Sequence, residues 1–291
     1  MRKIAFCLSL SILMLALCAS ARAADRILTT SDGVRLHIID LGPTQPQPSR
    51  AAPVLVFVPG WTMPGWIFQP QIDAFSRTNR VVVLDPRGQG SSDVPDQGYT
   101  YARRGEDVAD LINALAPARV VLIGWSLGVL DSLAYIHTHG DVRLAGLVLI
   151  DNSVGEDPPP APPRRPYHKV PPQTHAQFMA GFVRSMFHRP VPEPYLQRLT
   201  QAALRTPERA ASQLLSYAVP RSYWKEAVYA ATCPVFYIVR PAFAGQAGNL
   251  AAHHPQAETM VIPDLGHALF VDDPARFNTA LRDFLARRVT P

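Results

Sequence analysis

The sequence predicts an α/β protein, a mostly parallel sheet with helices on both faces and an inserted helical segment. Three observations predict it. Short apolar runs rich in β-branched residues alternate with stretches of helical spacing between residues 54 and 151. One such run leads directly into Gly124-Trp125-Ser126-Leu127-Gly128. The alternation stops at Gly155, gives way to prolines and helical segments, and resumes at Val235.

The elements follow in order. Residues 26–30 and 34–39 flank Ser31-Asp32-Gly33 and read as a β-hairpin with an Asp-Gly turn. Residues 42–53 form a polar, Pro-rich loop. Residues 54–58, Val-Leu-Val-Phe-Val, have the continuous apolar character of a strand buried on both faces. Residues 69–77 read as a helix and 81–84 as the next buried strand. Residues 106–115 place Val108, Leu111, Ile112 and Leu115 at helical spacing. Residues 120–125 are a strand, 127–137 a helix, and 144–150 a strand ending at Asp151. A parallel order with helical crossovers results.

Residues 158–172 hold eight prolines, too many for a helix or a central strand. Helical segments follow at 174–187, 194–205, 207–217 and 223–230, the third with Thr206 as N-cap and Pro207 at its first position. No strand separates them, so residues 155–230 read as a Pro-rich loop and helical lid inserted into the sheet domain. The core then comprises residues 24–154 and 231–291. Strands at 235–239 and 258–262 and a helix at 274–287 complete it.

Residues 1–23 read as a secretory signal peptide. Arg2-Lys3 is a basic start, residues 4–17 are apolar, and Ala19-Ser20-Ala21 and Ala21-Arg22-Ala23 offer small-x-small cleavage sites. The apolar run is shorter than the roughly 20 residues of a membrane span. The expected location is therefore secreted or periplasmic, without stable membrane association. The formal charge of +5 includes Arg2, Lys3 and Arg22, and 5 − 3 leaves +2. That balance gives no basis for a nucleic-acid partner. Of three cysteines, Cys7 and Cys18 lie in the leader, so Cys233 has no intrachain disulfide partner after cleavage.

The chemistry centres on Ser126. In a strand, Gly-x-Ser-x-Gly, helix context the serine sits on a sharp turn with its hydroxyl raised above the sheet. A serine hydroxyl is too weakly acidic to attack unaided and needs a base. His267, in Asp264-Leu265-Gly266-His267-Ala268, follows the last strand and precedes the last helix, where a side chain reaches the strand ends. The chain has nine histidines; His137, His139, His168, His175, His188, His253 and His254 read as surface or lid residues. For the acid, residues 240–249 contain no carboxylate. Asp151 ends the strand after the elbow unit, at the C-terminal edge where sites of open α/β sheets lie. Glu156, Asp157 and a dyad without an acid remain open. Two N–H donors are needed for a developing oxyanion. The Leu127 amide is one, and the Trp61 amide, in Pro59-Gly60-Trp61, is positioned to be the other. Asp85-x-Arg87-Gly88-x-Gly90 reads as a structural turn with a buried polar network.

Together these motifs resemble the α/β-hydrolase superfamily, over residues 27–153 and 233–288. The carriers are Gly124-x-Ser126-x-Gly128, Asp85-x-Arg87-Gly88-x-Gly90-x-Ser92 and Gly266-His267, in that order. Pro59-Gly60-Trp61 and the Gly-x-Ser-Leu-Gly elbow look most like the cofactor-free esterase and haloperoxidase-like branch. The resemblance implies Ser126, Asp151 and His267 as a triad, Trp61 and Leu127 as oxyanion donors, and no cofactor or metal. Two positions depart from the family pattern. Pro59-Gly60 replaces the usual His-Gly, and the usual Asp after the penultimate strand is missing.

The expected function is hydrolysis of a carboxylic ester or related acyl bond of a small, apolar substrate through an acyl-enzyme. Perhydrolase, lactonase and carbon–carbon hydrolase chemistry run on the same triad. A non-catalytic binding protein of this fold is the reading from a different class.

Overall fold

A computed structural model of the protein describes residues 24–43, 52–159 and 174–289. The expected leader at 1–23, most of the 42–53 loop and most of the Pro-rich loop lie outside the described residues.

Eight strands form one sheet in the order β1-β2-β4-β3-β5-β6-β7-β8. They are β1 (Ala24–Thr29), β2 (Arg35–Leu41), β3 (Val54–Val58), β4 (Val81–Leu84), β5 (Val120–Trp125), β6 (Leu144–Ile150), β7 (Val235–Val239) and β8 (Ala257–Val261). β3 to β8 run parallel, and β2 joins β1 and β4 antiparallel. Every residue of β3, β5, β6 and β7 is buried. This explains their unbroken apolar sequences, since helices cover both sides.

On one face lie α2 (Tyr101–Ala114), α3 (Leu127–His139), α7 (Arg221–Ala230) and α8 (Ala244–His253). They bury Leu111, Ile112, Leu133, Val228 and Leu250 against it. On the other lie α1 (Gln69–Phe75), α9 (Leu269–Asp272) and α10 (Pro274–Phe284), which contribute Ile72, Phe270, Phe277 and Leu281. Between β6 and α7 come α4 (His175–Ser185), α5 (Glu193–Leu204) and α6 (Glu208–Leu214). α4 and α5 bury Met179, Val183 and Leu199 in the second cluster, and α6 buries Leu214 in the first. The segment between residues 155 and 230 thus divides in space: α7 lies along α3 on the sheet face, and α4–α6 form the inserted part.

Several sequence expectations shift. α2 begins at Tyr101, not near 106, because the Thr100 side chain accepts from Arg103 N–H and caps it. Thr206 is not the cap of α6. Its hydroxyl donates to Gly88 O at 2.8 Å, and Pro207 takes the N-cap position. A tertiary hydrogen bond has outcompeted the local one. His254, expected at the surface or in the lid, is buried, with Nε2 3.0 Å from Val228 O. The last helix ends at Phe284 and widens into a π turn over Leu285–Val289. α8 fills the acid-free stretch after β7. Its Ala- and Gly-rich sequence carries little apolar periodicity to announce it.

Candidate active site

The centre of the site is the turn between β5 and α3. Ser126 has φ 54° and ψ −119°, a left-handed backbone that costs a non-glycine residue about 1–3 kcal/mol. The surroundings hold it there. Ser126 N–H donates to Ile150 O at 2.9 Å, and Asn152 Nδ2 donates to Ser126 O at 2.8 Å. Both flanking glycines are dictated by closeness of backbone. A Cβ on Gly124 would lie 2.3 Å from Gly128 O, and one on Gly128 would lie 2.2 Å from Val58 O.

His267 stands over this turn. Its Nε2 is 2.8 Å from Ser126 Oγ and its Nδ1 is 2.6 Å from Asp151 Oδ2. A carboxylate only accepts, so Nδ1 carries the proton and Nε2 is left to accept from the serine hydroxyl. The backbone that carries the ring is fixed from two sides. Trp125 Nε1 donates to His267 O at 2.8 Å, and Asp272 Oδ2 accepts from Gly266 N–H at 2.6 Å. Gly266 lies so close to the end of α4 that a Cβ there would be 2.4 Å from Met186 O.

Asp151 lies at the end of β6 with φ 50° and a side chain that is 0% exposed. Burial pushes its carboxyl upward. The hydrogen bond and charge of His267, with the charge and N–H of Arg240, outweigh burial and hold it below the ordinary range. The other two acids considered lie in different contacts. Glu156 accepts from Lys225 Nζ at 2.8 Å and from the Tyr229 hydroxyl at 2.6 Å. Asp157 is exposed and faces Arg221 at 3.7 Å.

The loop after β3 passes directly beside the serine. A Cβ on Gly60 would lie 2.8 Å from Ser126 Cβ, which excludes any larger residue. The loop is gripped by Gln89. Its Nε2 donates to Gly60 O and to Met63 O, both at 3.0 Å, and its Oε1 accepts from Thr62 N–H at 2.9 Å. In a trans peptide the C=O and N–H point opposite ways. With Gly60 O facing Gln89, the Trp61 N–H points away from it. Leu127 opens α3, whose first N–H groups lack intrahelical partners.

Gln89 ties this loop to the Asp85–Ser92 turn. That turn is anchored by Arg87, which donates two bonds of 2.6 Å to Asp107 and two of 3.0 and 3.1 Å to Asp32. The Asp85 carboxylate accepts from Ser91 N–H at 2.7 Å. On the inserted side, Trp61 Nε1 donates to Ala211 O of α6 at 2.7 Å. The Trp61 ring meets Phe182 and Phe178 of α4 edge-on at 5.0 and 6.4 Å.

Ser126, His267 and Asp151 are thus brought into one hydrogen-bonded line, and Gly60-Trp61 and Leu127 border it. Two residues beside them have no sequence signal of their own. Gln89 sits in a turn readable only as structural. Arg240 starts the stretch that lacks an acid, and its side chain reaches Asp151 from the neighbouring strand end.

A sequence model of the alpha/beta hydrolase family matches residues 55–280. The chain belongs to that family. Among curated relatives, a non-heme chloroperoxidase of Kitasatospora aureofaciens is 32% identical over 125 residues, 43% of this chain and 42% of that protein. A pimeloyl-[acyl-carrier protein] methyl ester esterase of Vibrio atlanticus is 37% identical over 93 residues, 32% of this chain and 34% of that protein. The chain therefore spans well under half the length of these relatives. Among solved structures, a putative aryl esterase from Burkholderia cenocepacia superposes with a TM-score of 0.75 at 24% identity. That match covers 90% of this chain and 98% of the other and speaks for the fold.

Proposed function

We propose that this hydrolase-family chain is an exported serine hydrolase that cleaves a carboxylic ester through an acyl-enzyme. The observation that carries the reading is the line from Ser126 Oγ to His267 Nε2 at 2.8 Å and from His267 Nδ1 to Asp151 Oδ2 at 2.6 Å. His267 takes the hydroxyl proton as Ser126 Oγ attacks the ester carbonyl. Asp151 stabilises the imidazolium that forms. The N–H groups of Leu127 and Trp61 receive the negative charge on the carbonyl oxygen. The intermediate collapses, His267 returns the proton to the leaving alcohol, and Ser126 is left acylated. Water, deprotonated by His267, then attacks the acyl group and releases the acid.

The inserted helices α4–α6 act as the cover. The tie from Trp61 to Ala211 and the aromatic contacts to Phe178 and Phe182 support that role. They favour an apolar substrate group next to Trp61. The likeness to a chloroperoxidase supports a second reading, transfer of the same acyl group to hydrogen peroxide in place of water. Export rests on the basic, apolar and small-residue pattern of residues 1–23. The N-terminal sequence of the mature protein checks it, with cleavage expected after Ala21 or Ala23.

Hydrolysis of p-nitrophenyl acetate or butyrate tests the main reading. Ser126→Ala should abolish it and also prevent labelling by a fluorophosphonate probe. Undiminished turnover in that variant rejects the assignment.

A further inference from the structure

We propose that Arg240 is a positioning residue for the reaction. It clamps the Asp151 carboxylate from the end of β7 and sets how strongly that carboxylate acts on His267. The proposal rests on the triad reading above.

The backbone places Arg240 for this role. Asp151 N–H donates to Ile238 O at 2.9 Å, so the ends of β6 and β7 lie side by side. One residue past β7, Arg240 N–H donates to Asp151 Oδ1 at 2.9 Å and its Nε donates to Oδ2 at 2.6 Å. One arginine therefore holds both oxygens, one through backbone and one through side chain. Oδ2 also receives His267 Nδ1–H at 2.6 Å, so the two donors share a single oxygen. Asp151 has no freedom left to rotate.

The third contact has a different sign. Arg240 Nη2 lies 3.4 Å from His267 Nδ1. Both nitrogens bear hydrogens when Nδ1–H is bound to Asp151, so this is not a hydrogen bond. It places a permanent cation beside the ring that must become positive during the reaction. Arg240 thus does two things. It fixes the acid in the geometry the histidine needs, and it sets a fixed positive charge 3.4 Å from the ring nitrogen that faces that acid. A purely structural ion pair would do only the first.

Among the described residues, the charged groups at the His267 ring are Asp151 from the end of β6 and Arg240 from the end of β7. Asp272 of α9 faces the backbone of the same loop through Gly266 N–H. Ser126 approaches from the β5–α3 turn. The guanidinium side chain is 34% exposed, so substitution leaves no sealed cavity.

The experiment compares Arg240→Gln and Arg240→Lys with the wild type, using p-nitrophenyl butyrate across the acid and neutral range. Arg240→Gln should lower kcat by up to about 10²-fold, the scale of a misplaced catalytic group, with KM little changed. The acid limb of its kcat/KM profile should move to higher pH, because the opposing cation is gone. Arg240→Lys keeps the cation but loses the Nε donor. It should lower kcat while leaving the acid limb near its wild-type position. Ethylguanidinium added to Arg240→Ala should restore part of the rate. The idea is overturned if Arg240→Gln melts earlier yet keeps the wild-type kcat and acid limb. Should Arg240→Gln fail to fold, a wild-type kcat in Arg240→Lys overturns it equally. Loss of the triad reading is separable: there Ser126→Ala retains turnover, whereas here the wild type stays Ser126-dependent and only the Arg240 variants are silent.

Discussion

The two flanks of Ser126 are built from different materials. On one side, Gly60 to Met63 is a neutral loop held by a buried glutamine, with hydrogen bonds of 2.9 to 3.0 Å to backbone groups. On the other, Asp151, His267 and Arg240 form a charged cluster that reaches solvent through the arginine. A neutral buried cage is rigid and indifferent to pH. A charged cluster at the edge of the sheet responds to pH and to each charge removed from it. The difference leads us to expect that geometry and electrostatics of this one site can be separated by mutation.

Substitutions on the two flanks should therefore fail in different ways. The largest effect within them is expected on the charged side. Asp151→Asn keeps the shape but cannot hold the Nδ1–H tautomer as a carboxylate does, and kcat should fall about 10⁴-fold. Steady-state kinetics with p-nitrophenyl butyrate measures it, and a loss below tenfold would point to a dyad without an acid.

The neutral side should give a smaller loss of rate with a loss of stability attached. Gln89→Leu leaves the Thr62 N–H and Met63 O without their partners in a buried place. Destabilisation of about 2 kcal/mol or more is expected in urea unfolding. As the Trp61 amide loses its fixed direction, kcat should fall by about 10²-fold, as for loss of one oxyanion donor. Its pH profile should keep the wild-type shape. A shifted acid limb in Gln89→Leu would break the separation between the flanks.

The smallest effect is in stability against pH. The Asp151 carboxyl is held below its ordinary range, net of burial, by His267 and Arg240. A depressed carboxyl stabilises the fold above its unfolded pKa of about 3.9. That contribution is lost as pH falls through the lower folded value. The Tm difference between wild type and Asp151→Asn should therefore shrink on acidification below about pH 4. A gap that widens there would contradict the ionised, clamped Asp151.

The same contrast explains what was legible in the sequence. Gly124 and Gly128 are required by atoms within their own turn and the adjoining strand, so the elbow can be read from ten residues. The buried parallel strands are legible because burial on both faces leaves an unbroken apolar run. Gln89 is different. Its partners at Gly60, Thr62 and Met63 are up to 29 residues away, and nothing local marks it. α8 was hidden because its alanines and glycines bury little area. Thr206 looked like a cap because caps are local, but the distant Gly88 carbonyl claimed its hydroxyl.

By itself, then, the sequence determined the α/β class, the strand order along the chain, the serine and the position of the histidine. Each follows from short-range periodicity or from backbone closeness within one turn. Only the tertiary structure showed which of the candidate acids lies against His267. Glu156 is taken up by Lys225 and Tyr229, whereas Asp151 lies where two adjacent strands end. It also revealed that the place after β7, which lacks a carboxylate, holds the arginine that grips the carboxylate of β6. Charge partners 89 residues apart meet only when the sheet sets their strands side by side.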